Sequence, residues 1–360
     1  MTAPVLESQV LDALRVVRDP DLGRDIVSLG FIKDVRVAKG TVAFSIELTT
    51  PACPVREQMQ QQARQAVAAL PGVATVEVKL TSRVRSSPGP VKEQLIPTVK
   101  NVVPVASGKG GVGKSTVTVN LALALARTGA RVGIMDADVY GPSVPTLMGV
   151  AELPKPTADG IVPAEQYGLK LISMGFFLRE DDAIIWRGPM LHKTVQHFLG
   201  NVQWGELDYL LVDLPPGTGD VQLTLCQSIP LTGAAVVSTP QDVALKVAQK
   251  AITMFTQLNT PVLGLIENMA YYVCPHCGSR DEVFGFGGTR RAAERLAIPF
   301  LGEIPLATEI RVRSDAGRPV ALDPASPFAD AYLAVAERLA AQVSIRNMQR
   351  ELTPLVQIKY

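Results

Sequence analysis

A lysine and a serine stand at the end of a glycine-rich stretch, SGKGGVGKST, that covers residues 107–116. Gly108 and Gly113 are separated by four residues, and Lys114 and Ser115 follow directly. With this spacing the glycines let backbone N–H groups converge on a phosphate, the lysine contacts the β and γ phosphates, and the serine hydroxyl holds Mg²⁺. An apolar run, NVVPVA, precedes the stretch, and a helical run, TVTVNLALALAR, follows it. The order is therefore strand, loop and helix, which a phosphate site at a helix N-terminus requires.

Carboxylates at the ends of two apolar runs can complete such a site. Asp213 ends the run in YLLVDLPPG, where its carboxylate can reach Mg²⁺ through water. Asp136 and Asp138 lie at the end of the run in IMDADVYGPS, and either can orient the attacking water as a general base. Each carboxylate has a plain alternative role as a cap at a strand end. Together they favour a site that binds ATP and Mg²⁺ and hydrolyses the nucleotide.

Two of the four cysteines form a Cys-x-x-Cys pair, Cys274 and Cys277 in YYVCPHCGS. Two thiolates complete no common metal site, and His276 between them is at most a possible third ligand. A thioredoxin-like redox motif is a poor match, because that motif starts a helix after the first strand of a small βαβ unit, whereas this pair follows a late apolar run. Cys226 in QLTLCQSIP lies on an apolar helical face and is expected to be a core residue.

The elements that position these residues are apolar runs separated by helical stretches. The runs are NVVPVAS, RVGIMD, YLLVDLP, GAAVVST and PVLGLIEN, and helices are predicted at 115–128 and 243–258. Continuous apolar strands that alternate with helices indicate a mainly parallel sheet covered on both faces. The predicted fold class is α/β, a P-loop NTPase preceded by a small α+β domain.

The small α+β domain is predicted from a different pattern. A helical run at 5–17 is followed by FIKDVRV and TVAFSIEL, which alternate around a Lys-Gly turn as in a hairpin. The helix CPVREQMQQQARQAVAAL and the strand VATVEVKL follow. Serine, proline and glycine then concentrate in a stretch without a period, which is typical of a linker. The predicted organisation is a domain at 1–82, a linker at 83–100, an ATPase domain at 101–345 and a tail at 346–360.

Composition sets limits on partners and location. The 360 residues are 47% hydrophobic and 19% charged, with a formal net charge of +1. This balance gives no global electrostatic reason for binding nucleic acid or an anionic membrane surface, so neither is expected as a partner. No apolar run approaches the roughly 18 to 20 residues of a spanning helix, and no secretory signal is evident. The protein is therefore expected to be cytoplasmic.

Lys109 lies inside the loop, where the ordinary phosphate-loop pattern does not require a lysine. A second ammonium group beside Lys114 is unfavourable unless it neutralises a further negative charge, which suggests a contact across subunits. In KGGVGKST the chain resembles the deviant phosphate-loop ATPases, the class that contains MinD, ParA and the nitrogenase iron protein. The resemblance implies a homodimer with ATP between the subunits, in which Lys109 reaches the partner's nucleotide. As an alternative, Lys109 is an ordinary surface lysine.

Four longer motifs narrow the resemblance. They are DADVYGPSVPTLMG, DLPPGTGDVQLTL, TPQDVAL and ENMAYYVCPHCG, and in this order they resemble the Mrp/ApbC family of iron–sulfur cluster carrier ATPases over about 101–340. The resemblance implies that Asp138 positions water, that residues 213–220 form a segment responsive to the γ phosphate, and that Asn268 contacts adenine. The expected catalytic residues are Lys109, Lys114 and Asp138. The expected nucleotide-binding residues are Gly108, Lys109, Gly110, Gly111, Val112, Gly113, Lys114, Ser115, Thr116, Asp213 and Asn268.

The N-terminal domain carries a resemblance of its own. DPDLGRDIVSLGFI and TTPACP resemble the small domain found in iron–sulfur assembly factors. The resemblance makes Cys53 a candidate for reactivity or cluster handling. The alternative is a cysteine near a helix start with no chemical role, although a helix N-terminus lowers a thiol pKa.

The resemblance to dimeric ATPases implies that a second subunit supplies the two ligands that the cysteine pair lacks. Cys274 and Cys277 from two subunits give four thiolates, which satisfy a [4Fe–4S] cluster or Zn²⁺ equally well by number. The expected function is a slow ATPase that carries a cluster to apo iron–sulfur proteins and works with cluster assembly factors. The alternatives are a MinD/ParA-like positioning ATPase with a structural zinc site and an electron carrier. Slow hydrolysis is expected because no arginine lies close to the loop in sequence, with Arg187 the candidate to approach it.

Overall fold

The computed structural model describes residues 5–86, 95–177, 188–228 and 231–352. The chain divides into two compact units, Met1–Arg85 and Ser86–Tyr360. Arg187 lies outside the described residues, as do residues 87–94 of the predicted linker. No helix within the described ranges is both long enough and apolar enough to cross a membrane.

The first unit is a three-stranded sheet with two helices. Its elements are α1 Glu7–Leu14, β1 Ile32–Ala38, β2 Thr41–Leu48, α2 Arg56–Ala68 and β3 Thr75–Ser82. The central strand β2 pairs antiparallel with β1 and parallel with β3. Lys39 and Gly40 both have positive φ, 47° and 81°, as a tight hairpin turn requires. The small α+β domain expected from the sequence is therefore confirmed.

The second unit alternates strands and helices. Its elements are β4 Val102–Ser107, α3 Lys114–Arg127, β5 Val132–Asp136, α4 Val144–Met148, β6 Ala164–Gln166, β7 Leu169–Ser173, α5 Gly188–Gly200, β8 Tyr209–Asp213, α6 Asp220–Ser228, β9 Ala234–Ser238, α7 Asp242–Gln257, β10 Val262–Val273, β11 Arg280–Asp281, α8 Gly288–Leu296, β12 Phe300–Leu306, α9 Thr308–Asp315 and α10 Pro327–Leu352. The strands β4, β5, β8 and β9 are buried at every residue, which explains their continuous apolar sequences.

These strands form one nine-stranded sheet. The order is β11-β10-β9-β4-β8-β5-β7-β6, and β12 also pairs with β10. The pairs from β10 to β7 are parallel, as is β12 on β10, whereas β6 and β11 are antiparallel to their neighbours. The mainly parallel sheet predicted from the sequence is confirmed.

The sheet register brings the predicted acidic residues together. In the register of β8, Asp213 is opposite Val105 of β4 on one side and Asp136 of β5 on the other. The glycine-rich loop leaves β4 two residues after Val105. Because carboxyl ends of parallel strands share one edge, this edge carries the loop and the acidic side chains.

The helix α10 continues to Leu352, seven residues beyond residue 345, where the ATPase domain was predicted to end. Asn347 and Met348 are buried, and the Asn347 amide donates a hydrogen bond of 2.9 Å to Asn101 Oδ1 at the start of the sheet. Within the predicted linker, Lys100 N–H bonds Leu207 O at 2.9 Å, so residues 95–100 belong to the second unit. Residues 353–360 lie outside the described part of the chain.

Candidate functional site

The glycine-rich loop joins the buried end of β4 to the first turn of α3. Gly111 and Gly113 both have φ of +78°, a conformation that side chains other than glycine rarely adopt. A Cβ on Gly108 would collide with the backbone of Val247 and Ala248 in α7. The loop is therefore held in place by a backbone conformation and a close packing that favour glycine at these positions.

A cavity of about 300 Å³ opens over this loop. Residues 109–116 line it, together with Asp138, Gly141, Ser143, Leu147 and Pro216. Most of the residues expected to bind nucleotide therefore surround one space. Gly108, Asp213 and Asn268 are not among the lining residues: Gly108 belongs to the loop itself, and Asp213 and Asn268 form hydrogen bonds with residues of the loop and of the first turn of α3.

Lys114 is the centre of a buried polar cluster. Its side chain is 6% exposed, and Nζ lies 2.7 Å from Asp213 Oδ2 and 3.7 Å from Asp138 Oδ2. Ser115 Oγ donates to Asp213 Oδ2 at 2.5 Å. Thr118 Oγ1 lies 2.7 Å from Asp213 Oδ1, a contact that the sequence reasoning missed although Thr118 is one helical turn beyond Lys114.

The structure separates the roles of the two aspartates after β5. Asp136 is fully buried and accepts hydrogen bonds from Ser173 Oγ and from the backbone N–H groups of Asp138 and Val144. Burial, reinforced by the charge of Asp213, raises the pKa of Asp136 to about 7. These contacts give Asp136 the supporting role of fastening α4 to the sheet.

Asp138 lines the cavity instead. Its Oδ1 accepts the backbone N–H groups of Tyr140 and Gly141 at 3.3 and 3.2 Å. Burial raises the pKa of Asp138, an effect that the ammonium of Lys114 opposes. Of the two aspartates, Asp138 is therefore the one at the cavity beside the loop.

Asn268 supports the loop. Its Nδ2 donates a hydrogen bond of 2.7 Å to the carbonyl oxygen of Val112, and a Cβ on Gly113 would collide with the same amide. The contact with adenine implied by the family resemblance remains a prediction. The contact present in the structure is with the backbone that surrounds the phosphate site.

Lys109 is half-buried and lines the cavity. Its Nζ donates to Gln241 Oε1 at 3.3 Å, and the same oxygen accepts Thr239 Oγ1 at 2.9 Å. Gln241 stands in the TPQDVAL motif and was not singled out from the sequence. The only sequence signal for Gln241 is its position within that motif.

The segment after β8 is tied to the loop through backbone contacts. Gly217 N–H bonds Ser107 O at 2.9 Å. Buried Gln222 donates to Pro215 O at 2.8 Å and accepts Gly219 N–H at 2.9 Å, so its amide spans the turn. Gln222 is a supporting residue that sequence reasoning missed, because a helical glutamine carries no distinctive signal.

The cysteine pair lies on a hairpin between β10 and β11. Cys274 follows the last residue of β10, its N–H bonds Ser279 O, and its carbonyl accepts Gly278 N–H, both at 2.9 Å. Cys277 is exposed, with Sγ 3.0 Å from Ser279 Oγ. Hydrogen bonds from the Ser279 hydroxyl and N–H, and then from Cys274, lower the pKa of the Cys277 thiol. A lowered pKa increases the fraction of Cys277 present as thiolate, which is the form that binds metals.

Among the described residues, the cysteine pair is not part of a larger cluster of metal-binding side chains. Within residues 5–86, 95–177, 188–228 and 231–352, no group of three or more histidine, cysteine, aspartate or glutamate side chains is arranged to hold a metal ion. His276 is exposed between the two cysteines. Two thiolates from one copy therefore present half of a tetrahedral ligand set.

The other two cysteines are separate from this hairpin in sequence. Cys226 is half-buried against the main apolar cluster of the sheet, and burial raises its pKa, as expected of a core residue. Cys53 lies three residues before the first residue of α2, and its carbonyl accepts the N–H of Arg56. A chemical role for Cys53 remains a prediction.

A parallel sheet with a glycine-rich loop between β4 and α3, a lysine at the start of that helix and aspartates at the ends of β5 and β8 defines a P-loop nucleotide-binding protein. The sequence profile of the NUBPL iron-transfer P-loop NTPase family matches residues 98–340. The chain belongs to this family. A second profile, of an iron–sulfur cluster assembly protein, matches residues 7–79.

Relatives match along nearly the whole chain. The iron-sulfur cluster carrier protein of Synechocystis is 46% identical over 343 residues, which cover 93% of this chain and 97% of that protein. The protein of the same name from Deinococcus radiodurans is 48% identical over 347 residues, which cover 95% of this chain and 97% of that protein. Both units of the chain therefore have counterparts in these proteins.

A solved structure matches about two thirds of the chain. The nucleotide-binding protein of Archaeoglobus fulgidus, in complex with ADP, is 43% identical with a TM-score of 0.57. The match covers 66% of this chain and 92% of that one. The fold inferred from the strand order is therefore found in a nucleotide-binding relative.

Proposed function

We propose that this protein is an ATP-hydrolysing iron–sulfur cluster carrier that binds its cluster between two copies of the chain and passes it to apo iron–sulfur proteins. The observation that carries the proposal is the pair Cys274, which is half-buried, and Cys277, which is exposed and has a lowered thiol pKa, in the same compact unit as the phosphate loop. Relatives named as cluster carriers match 93% and 95% of the chain.

Nucleotide binding is assigned to the loop and the residues that flank it. Backbone N–H groups of the loop and the N-terminus of α3 receive the phosphates, and the Lys114 ammonium neutralises their charge. The Ser115 hydroxyl and the carboxylates of Asp213 and Asp138 are hard oxygen donors within one buried cluster, a set that suits Mg²⁺. When bound, Mg²⁺ supplies further positive charge at the phosphates.

Hydrolysis is assigned to Asp138 as the residue that orients water. Its carboxylate lies at the cavity beside Lys114, and its raised pKa brings it nearer to the range of a general base. Among the residues that the structure describes, no arginine lines the cavity. We therefore expect slow hydrolysis, with Lys109 of a second copy as a source of further positive charge.

The cargo site is assigned to two copies of the cysteine hairpin. Each copy offers two thiolates, and four thiolates at a two-fold axis satisfy a [4Fe–4S] cluster. The names of the relatives favour a cluster over Zn²⁺, which the same four ligands would also hold. The proposed partners are apo iron–sulfur proteins and cluster assembly factors. The proposed location is the cytoplasm, where free cysteines persist.

Anaerobic reconstitution with iron and sulfide tests this function. The full-length wild type is expected to take up about four irons per dimer, with the visible absorbance of a [4Fe–4S] cluster. Cys274→Ala should fall to background, whereas Cys226→Ala, which removes a half-buried core thiol, should bind as the wild type does. Equal uptake by wild type and Cys274→Ala would sink the proposal. Transfer is then followed as activation of an apo iron–sulfur enzyme.

A further inference from the structure

A buried carboxylate on β10 is not part of the nucleotide or cysteine site. Glu267 is 0% exposed, and its two oxygens accept the backbone N–H groups of Gly287 at 3.1 Å and Thr289 at 2.6 Å. These groups begin α8, so the carboxylate caps the positive end of that helix. Burying a carboxylate is costly, and the two hydrogen bonds offset that cost.

The capping contact closes the loop that carries the cysteines. The chain leaves β10 at Cys274, passes Cys277 and returns at Gly287, which is twenty residues beyond Glu267. Within this loop the Arg280 guanidinium lies 3.9 Å from the ring centroid of Tyr271 and 4.6 Å from that of Phe286. Phe286 directly precedes Gly287, so a displacement at Gly287 is passed to Arg280 and to the hairpin.

The neighbouring residue on the same strand holds the phosphate loop. Asn268 Nδ2 bonds Val112 O at 2.7 Å. Because side chains of adjacent strand residues point to opposite faces, Glu267 contacts α8 on one face while Asn268 contacts the loop on the other. Two consecutive residues thus join the nucleotide site to the base of the cysteine loop.

The strand is irregular directly beyond these two residues. Met269 has φ of +56°, a left-handed conformation that is unfavourable for a residue with a side chain. The pairing of β10 with β12 shifts register between Asn268 and Tyr272. Strain and irregular pairing of this kind mark segments that can adopt a second arrangement.

We propose that Glu267 is a positioning residue that couples nucleotide binding at the phosphate loop to the exposure of the cysteine pair. Nucleotide moves the loop backbone at Val112, Asn268 follows its hydrogen-bond partner, and Glu267 carries the change to Gly287 and the hairpin. The coupling is reciprocal: a metal on the cysteines changes the affinity for nucleotide by the same factor by which nucleotide changes the affinity for the metal. This inference rests on the proposed function, because it assigns a route by which ATP controls the cluster site.

The alkylation rate of Cys277 in the metal-free, full-length protein measures the coupling. The rate is followed by peptide mass spectrometry with and without a non-hydrolysable ATP analogue and Mg²⁺. In the wild type the two rates are expected to differ by about fivefold or more. In Glu267→Gln the ratio should approach one, because the neutral amide is a weaker cap, while the affinity for the analogue is retained.

Glu303→Gln is the matched control. Glu303 pairs opposite Glu267 on β12 and binds Arg290 of α8 at 3.0 Å, but it makes this contact near the surface. It should keep the wild-type ratio. If Glu267→Gln does not fold, Arg280→Ala replaces it, since Arg280 is exposed and its loss should also reduce the ratio.

A wild-type ratio of one, or an unchanged ratio in Glu267→Gln, overturns the inference. Neither result affects the proposed function, which depends on iron uptake by the cysteines. Failure of the wild type to take up iron would contradict the proposed function. That result would leave the alkylation ratio of Cys277 unchanged, because this ratio is measured on metal-free protein. The two failures are therefore distinguishable.

Discussion

The Lys114 ammonium donates a hydrogen bond of 2.7 Å to Asp213, joining the first residue of α3 to the last residue of β8. Asp213 is fully buried and also accepts the Ser115 hydroxyl. An ion pair at this depth is stable only while each charge keeps a partner. We expect phosphates that approach the loop to compete with Asp213 for the lysine, which would connect nucleotide binding to the end of β8.

Replacing Asp213 by Asn should strongly reduce hydrolysis. The change leaves Lys114 without its closest counter-charge and replaces an anionic oxygen donor by a neutral amide, and we expect kcat to fall about 100-fold. Phosphate release at saturating ATP measures the effect. Asp208→Asn is the control, because Asp208 precedes the same strand at the opposite edge, where it pairs with Lys100 at 2.7 Å. A kcat for Asp213→Asn within threefold of that control, about 0.7 kcal/mol, would contradict the assignment.

Lys109 is expected to act on the nucleotide of a second copy. Lys109→Ala and Lys114→Ala should each be inactive alone. Mixed in equal amounts they form heterodimers, in which the site with intact Lys114 receives Lys109 from the other subunit. Statistical mixing then predicts about a quarter of wild-type activity. A mixture as inactive as its components would show that Lys109 acts within its own subunit, where it contacts Gln241.

The sequence predicts the strands buried at the centre of the sheet better than the strands at its edge. The runs that became β4, β5, β8 and β9 are apolar throughout, and burial on both faces produces that pattern. The strand β12 was missed because FLGEIPL contains Gly302 and Pro305, which argue against a strand. It forms nonetheless because it lies beside β10 at the edge of the parallel core.

The same distinction holds for the site. The loop has a local spacing that can be read from the sequence, and Asp213 follows from its place at a strand end. Gln222 and Glu267 have no such signal, since their roles arise from partners that only the folded chain brings close. The helix α10 extends past the predicted domain end, where Asn347 forms a hydrogen bond with Asn101. Asn101 lies near the start of this unit, 246 residues earlier in the sequence, so the sequence pattern around Asn347 does not reveal the contact.

The Ser279 hydroxyl should control the reactivity of Cys277. Ser279→Ala removes the largest contribution to the lowered pKa of that thiol, so its pKa rises and the thiolate fraction near neutral pH falls. Alkylation of Cys277 in metal-free protein should slow at pH 7 and recover above pH 9. Cys226 is an internal control, because its pKa is raised by burial, with no contribution from Ser279. Equal rates in variant and wild type at pH 7 would contradict this role.

The buried carboxyl of Asp136 should make stability depend on pH. Its pKa is raised from 3.8 to about 7, so between these values the folded state holds a proton that the unfolded state has lost. Stability therefore falls as pH rises through this window and is constant above it, as far as this group is concerned. Asp136→Asn does not titrate, so its stability relative to wild type should rise by about 2 to 4 kcal/mol between pH 4 and pH 8. Thermal unfolding across this range measures the difference, and exposed Asp159→Asn is the control. A difference between Asp136→Asn and wild type that does not change with pH would show that Asp136 is already ionised in the folded protein.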